Sequence, residues 1–250
     1  MRKILSVVAG LLAITVLAAP SSARTLRPRV DAPSKVYVVH GLKLDSAGTK
    51  VDVFAGAAGA PIGDAGQLIN DFLYRTVVGP VSLPPASYTV YVAKPTASND
   101  GKLQADEVLF SKTLAVPSGK NLSAVASLDA AGQPTINVFV NDVSAVPAGG
   151  SRLSIRHAAA APAVKADVGF LPYSRSYSFF VNTYGPAENG QQADITTASG
   201  KYDVVVRVAA NGARVSAVGG LPVSAKMLTA VYAVGTPGST FSFIVQRIAL

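Results

Sequence analysis

The chain has 250 residues, with 22 Lys and Arg against 14 Asp and Glu, two His, no Cys and no Trp. Without Cys there is no disulfide scaffold, no thiolate nucleophile, no zinc finger and no Cys-held iron–sulfur cluster, and two His leave little room for a His-based metal or catalytic site. At 49% hydrophobic and 14% charged residues, the composition supports a packed core rather than wholesale disorder, and the length suits one or two domains.

The N-terminus carries the first signal. Met1-Arg2-Lys3 is basic, residues 4–19 are apolar, and Pro20-Ser21-Ser22-Ala23 places small residues where a signal peptidase reads. This pattern predicts a secretory signal peptide over 1–23, cut after Ala23. The 16-residue apolar run is shorter than the roughly 20 residues a membrane-spanning helix needs. No second long apolar stretch follows, so no transmembrane segment is expected in the mature chain. Export without Cys suits a bacterial envelope protein that does not depend on oxidation. Residues 24–34 read as a basic, Pro-containing, flexible lead-in.

Downstream the pattern is β. Val36, Val38 and His40 share one face of a first strand, and Val51-Asp52-Val53-Phe54 follows. Gly66 to Leu73 is the best helical candidate, good for one or two turns. Tyr88, Val90 and Val92 alternate with Thr89 and Tyr91; Asn99-Asp100-Gly101 has hairpin chemistry; Ser118-Gly119-Lys120 reads as a turn between strands; Ile136, Val138 and Val140 alternate with Asn137, Phe139 and Asn141. After Val146-Pro147-Ala148-Gly149-Gly150-Ser151 the pattern restarts. Leu153, Ile155 and His157 share a face, Ala166-Asp167-Val168 follows, Tyr202, Val204 and Val206 alternate with Asp203, Val205 and Arg207, and Asn211-Gly212 marks a turn. Phe241, Phe243 and Val245 alternate with Ser242, Ile244 and Gln246.

The two runs match in order. Val36–His40 answers Leu153–His157, Asp52 answers Asp167, Tyr88 answers Tyr202, Leu114-Ala115-Val116 answers Leu221-Pro222-Val223, and Lys120-Asn121-Leu122 answers Lys226-Met227-Leu228. The expected fold is therefore all-β: two tandem antiparallel β-sandwich domains, immunoglobulin-like or transthyretin-like, over 35–146 and 151–250. The join between them is too short for a free linker, so the domains are expected to touch.

These residues resemble a known bacterial family. His157-Ala158-Ala159-Ala160-Ala161-Pro162-Ala163-Val164 followed by Asp167-Val168 looks like the opening of domain of unknown function 4397, in which a strand ending in His-Ala leads through a Pro-containing turn to an Asp-Val strand. The family's later Pro-Ala-Gly-x-Tyr-x-Val element is matched by Leu83-Pro84-Pro85-Ala86-Ser87-Tyr88-Thr89-Val90 and by Ala198-Ser199-Gly200-Lys201-Tyr202-Asp203-Val204. The first half departs from the pattern. His40 is followed by Gly41, Ser46-Ala47-Gly48 has no Pro, and Ser87 replaces the Gly before Tyr88. The resemblance covers both halves, as two tandem copies. It implies secreted or surface-exposed β-sandwich modules, and no activity or functional residue can be carried across.

Candidate chemistry is thin. His40 and His157 repeat with the parity of the apolar face, which favours packed imidazoles bonded to turn carbonyls over a paired ligand or catalytic site. Asp45, Asp64, Asp71, Asp100, Asp106 and Glu107 lack calcium-loop spacing and read as solvated loop charge. No Gly-x-Ser-x-Gly is present. Ser118-Gly119-Lys120 lacks the upstream Gly of a phosphate loop. Residues 35–146 hold 8 Lys and Arg against 9 Asp and Glu, and residues 147–250 hold 9 against 4. The second half is thus basic, as suits an anionic envelope polymer. Tyr173, Arg175, Phe180 and Tyr184 form the aromatic-plus-Arg stretch nearest to a ligand contact, set against core packing for the alternating members. Catalytic residues, metal ligands and cofactors are not expected, nor is nucleic acid a partner. The sequence points to a secreted or cell-envelope, non-enzymatic module that binds an anionic polymer or a surface protein, or acts as a spacer. The alternatives are an exported hydrolase with a cryptic site and, less well supported, an outer-membrane barrel.

Overall fold

The computed structural model describes residues 31–43, 50–95, 102–170 and 180–250, with the backbone alone for Phe180 and Val181. The expected signal peptide, most of the lead-in, Asp45, the Ser46-Ala47-Gly48 turn, Asp100, Tyr173 and Arg175 lie outside the described residues. Among those described, no helix is long and apolar enough to cross a membrane.

The first half holds β1 (Ser34–His40), β2 (Lys50–Ala57), β3 (Gly66–Leu73), β4 (Val77–Leu83), β5 (Ala86–Ala93), β6 (Val108–Val116), β7 (Asn121–Leu128) and β8 (Pro134–Val140). The second holds β9 (Gly150–Ala159), β10 (Val164–Phe170), β11 (Phe180–Ala187), β12 (Gln192–Ala198), β13 (Gly200–Val208), β14 (Arg214–Val223), β15 (Met227–Gly235) and β16 (Ser242–Ala249). Each half is two four-stranded sheets. Their orders are β4-β1-β7-β8 and β3-β2-β5-β6, then β12-β9-β15-β16 and β11-β10-β13-β14. Adding eight to every strand number converts the first pair of sheets into the second, so the all-β sandwich plan is carried out twice.

Two local features differ from the sequence reading. The ladders are antiparallel except for β1 with β7 and β9 with β15, which run parallel. These strands open and nearly close each half, and the intervening strands supply the crossover that a parallel pair needs. Gly66–Leu73 is strand β3, and helical geometry is confined to a single 3-10 turn just before it, Ile62–Asp64. Pairing with β2 overrides a weak local helical preference. Elsewhere the turn chemistry holds. Gly212 takes φ +71° in the β13–β14 turn, where the Asn211 side chain accepts the Ala213 N–H at 3.0 Å.

Three cores result. Val36, Val53, Phe72, Val92, Leu122 and Ile136 fill the first sandwich. Leu153, Ile155, Val168, Tyr202, Val204 and Val231 fill the second. The third lies between the halves, where Val39, Val125 and Phe139 meet Ala158, Ala230, Tyr232, Val234 and Ile244. The inner strands of the sheets containing β1 and β9 are therefore covered on both faces, and β7, β9 and β15 show no exposed residue.

One tyrosine fixes the correspondence of the halves. The Tyr88 hydroxyl donates to the Pro84 carbonyl at 3.0 Å, and the Tyr202 hydroxyl to the Ala198 carbonyl at 2.8 Å, each four residues upstream. Tyr88 lies opposite Ala57 and Tyr202 opposite Phe170. Five residues along the same ladders, Asp52 faces Ala93 and Lys165 faces Arg207. Asp52 therefore corresponds to Lys165 rather than Asp167. A two-residue shift keeps every side chain on its face, so alternation alone does not reveal it.

Candidate functional site

His40 ends β1 and His157 lies two residues before the end of β9, His40 opposite Ala126 and His157 opposite Ala233. Both are buried, but they are partnered differently. His157 is buried, and its Nε2 lies 3.1–3.2 Å from the Ala161 and Pro162 carbonyls while Nδ1 accepts the Ala159 N–H at 3.3 Å. This is the turn-bonded imidazole expected of it. Burial holds its pKa below the ordinary 6.5, against the opposing pull of those carbonyls. His40 is fully buried, and neither ring nitrogen has a hydrogen-bond partner among the described residues. Its ring packs against Phe72 and Tyr74, at 5.3 and 5.9 Å between centroids. Desolvation pushes its pKa down to about 4, so the ring is neutral at neutral pH. The expected turn-carbonyl bond is thus made by His157 and not by His40.

The most elaborate polar cluster joins the halves. On β9, Leu153 and Ile155 enter the second core, so Ser154 and Arg156 point the other way, into the third core. The Arg156 guanidinium is fully buried. Its Nε donates to Ser154 at 3.0 Å, one Nη to the Tyr232 hydroxyl at 2.7 Å and the other to the Val140 carbonyl at 3.3 Å. It also sits 5.3 Å from the Phe139 ring centre and 5.1 Å from that of Tyr232, one aromatic from each half. Tyr232 donates in turn to Gln246 Oε1, which accepts from Ser123 at 3.0 Å. The cation is held by neutral acceptors and aromatic faces, and burial lowers its pKa from the ordinary value. Sequence reading missed Arg156. The available signal was the apolar run Leu228 to Val234, which lacks a polar face and so marks a strand covered on both sides.

The remaining candidates are dispersed. Tyr184 packs its ring against the second core and lines a cavity of about 20 Å³ that His157 and Arg156 also border. Burial raises the pKa of its hydroxyl. Phe180 begins β11, while Tyr173 and Arg175 lie outside the described residues, so the four are not seen brought together. Asp71 pairs with Lys50 at 3.5 Å, and Glu107 caps a one-turn 3-10 helix through the Gln104 N–H. Among the described residues no group of three His, Asp or Glu could hold a metal ion. The basic residues of the second half divide. Arg152 and Arg156 are buried, and Arg152 meets Asp142 at 3.2 Å. Lys201, Arg214, Lys226 and Arg247 are exposed.

Comparison with solved structures finds low-identity likenesses. The Bacillus anthracis TIE protein is 12% identical, with a TM-score of 0.24 over 82% of this chain and 34% of its own; this chain thus spans about a third of that protein's length. A candidate cell adhesion protein from Bacteroides eggerthii is 7% identical, with a TM-score of 0.26 over 88% of this chain and 96% of its own. The fimbrial anchor protein Mfa2 from Porphyromonas gingivalis is 9% identical, with a TM-score of 0.24 over 88% and 98%. No curated protein matches. A family model does match, over residues 34–167, which takes in all of the first sandwich, strand β9 and the first half of β10. The chain belongs to the family described as domain of unknown function (DUF4397).

Proposed function

We propose that this is an exported, non-enzymatic envelope protein that attaches to an anionic polymer of the cell envelope. In this reading residues 1–23 are a cleaved signal peptide, and 35–146 and 151–250 are two copies of the family domain fused back to back. The observation that carries it is the distribution of charge. The second half has an excess of five basic residues over acidic ones, although two of its arginines are consumed inside the protein. The exposed remainder gives a positive surface that folding does not require, and such a surface concentrates polyanions. The histidines support the non-enzymatic part. His157 is occupied by turn carbonyls, and His40 is enclosed by aromatic rings.

The test is retention of the purified protein on isolated cell-wall material. Retention at low salt that falls steeply between roughly 50 and 200 mM salt is expected for a contact made by several cations. No retention at low salt on walls, anionic vesicles or soluble polyanions would overturn the proposal. So would hydrolysis of generic ester, glycoside or peptide substrates that His40→Ala or His157→Ala abolishes.

A further inference from the structure

The outer faces of the two sandwiches have diverged at equivalent places. In the first half the row Asp52, Ala93 and Val108 crosses β2, β5 and β6 in register. It lies beside Phe54, which is buried with Ala93, with Ala65 from the β2–β3 connection and with Leu103, which precedes β6. That face is closed by its own chain. In the second half the equivalent row is Lys165, Arg207 and Arg214, paired strand to strand across β10, β13 and β14. Ala166, Val168, Val204 and Val206 turn inward, so these three cations turn outward. Lys165 and Arg207 are partly exposed and Arg214 is exposed.

The row is costly to the fold. Like charges directly opposite one another on neighbouring strands destabilise a sheet. With strands about 4.8 Å apart, three cations stand within roughly 10 Å. One carboxylate relieves them: Asp167 pairs with Arg207 Nε at 2.8 Å and is itself held by Thr183 at 2.8 Å. That pair fixes the Arg207 stem and leaves Lys165 and Arg214 on either side of it. The outward row of β13 also carries Lys201, Asp203 and Val205; Asp203 accepts the Gly220 N–H at 2.8 Å, and the remaining outward residues Thr183 and Ala217 are small. No aromatic side chain stands on this face among the described residues, so it offers charge and a flat bed but no platform for stacking sugar rings.

The geometry points to the outer face of the β11-β10-β13-β14 sheet as a binding site for an extended phosphate-bearing polymer laid across the strands along Lys165, Arg207 and Arg214. Arg presents forked donors that fit phosphate oxygens, and Lys contributes a mobile point charge. This inference rests on the envelope-polymer reading above and adds the site and the class of polymer.

The experiment measures binding of the purified protein to linear inorganic polyphosphate against salt. It compares the natural protein with K165Q/R214Q, which leaves the Arg207–Asp167 pair intact, and with K35Q/K120Q, which removes two exposed cations from the first half. K165Q/R214Q is expected to lose tenfold or more in affinity near 0.1 M salt, and its plot of log affinity against log salt to flatten by about one to two units. K35Q/K120Q is expected to change little. Its thermal midpoint and that of K165Q/R214Q are expected to match or exceed the natural one, which excludes unfolding as the cause. Equal losses in the two variants would overturn the site and leave the envelope reading standing. Tighter binding of a carboxylate polysaccharide than of polyphosphate would overturn the phosphate assignment. If the natural protein bound no polyanion, both proposals would fall.

Discussion

His40 shows how one side chain can set the conditions in which the fold is stable. Its ring is enclosed by Phe72 and Tyr74. The turn behind it reaches the other half, where the Tyr74 hydroxyl meets Ser242 at 3.1 Å and Arg75 donates to the Phe243 carbonyl at 3.3 Å. The folded protein protonates this ring near pH 4, against 6.5 for an unburied one. The unfolded chain therefore binds the proton first as the pH falls. The stability is fully present above pH 6.5, erodes between 6.5 and 4, and the loss approaches about 3 kcal/mol at the lower end. Urea unfolding at pH 7 and at pH 4.5 is expected to show a loss of this order in the natural protein and a much smaller one in His40→Leu. Equal losses in both would mean that other groups carry the acid sensitivity.

At the scale of the element, alternation reveals strands but not the number of covered faces. An edge strand such as β12 alternates as expected, exposed at Asp194, Thr196 and Ala198 and partly buried at Ile195 and Thr197 between them. Ser154 and Arg156 alternate with the apolar members of β9 and lie in the seam, because a neighbour's presence is a tertiary fact that one strand does not encode. Register is legible only in part. The match of Leu122 to Leu228 slips by one residue: with His40 level with His157, Asn121 lies opposite Lys35 and Leu228 opposite Arg152, which sets Leu122 level with Thr229. A one-residue slip exchanges faces, which is why Leu122 lies in the first core whereas Tyr232 and Ala230 lie in the third. The candidate site was legible as excess charge in the second half. Its location was not, because Lys165, Arg207 and Arg214 are far apart in sequence and meet only through the ladders.

The same register exposes a defect in the first sandwich. Its sheets enclose an apolar cavity of about 50 Å³ bordered by Val36, Val53, Tyr88, Leu114, Ala124 and Ile136. Ala124 lies opposite Val38 and Val231 opposite Ile155, so the second half carries valine at the position of Ala124. Ala124→Val adds two methyl groups toward space that already exists, and a gain of about 1 kcal/mol in unfolding free energy is expected. A higher urea midpoint with an unchanged slope would show it. A lower midpoint would mean that the sheets cannot admit the larger side chain.

The whole molecule is governed by the seam. Domains joined in one chain move relative to one another unless their interface is large and apolar. This interface has its own apolar core and is crossed by directed bonds. Asn189 donates to the Leu128 carbonyl at 2.9 Å and accepts from Asn137 Nδ2 at 3.0 Å, and Gln192 donates to the Val140 carbonyl at 3.0 Å. Backbones approach closely as well. A Cβ on Gly41 would stand 2.6 Å from Val234 Cγ1, a side chain with no exposure and no room to withdraw. The two sandwiches are therefore expected to unfold in one calorimetric transition, since losing either strips the apolar seam face of the other. Gly41→Val drives a wedge into that contact at a cost of about 1–3 kcal/mol. At this chain length such a cost lowers the midpoint by roughly 5 °C. Because the wedge weakens the coupling and spares both internal cores, the transition is also expected to broaden or divide. Two separate transitions in the natural protein, or a Gly41→Val variant indistinguishable from it, would show that the halves stand independently and that the seam does not hold them as one body.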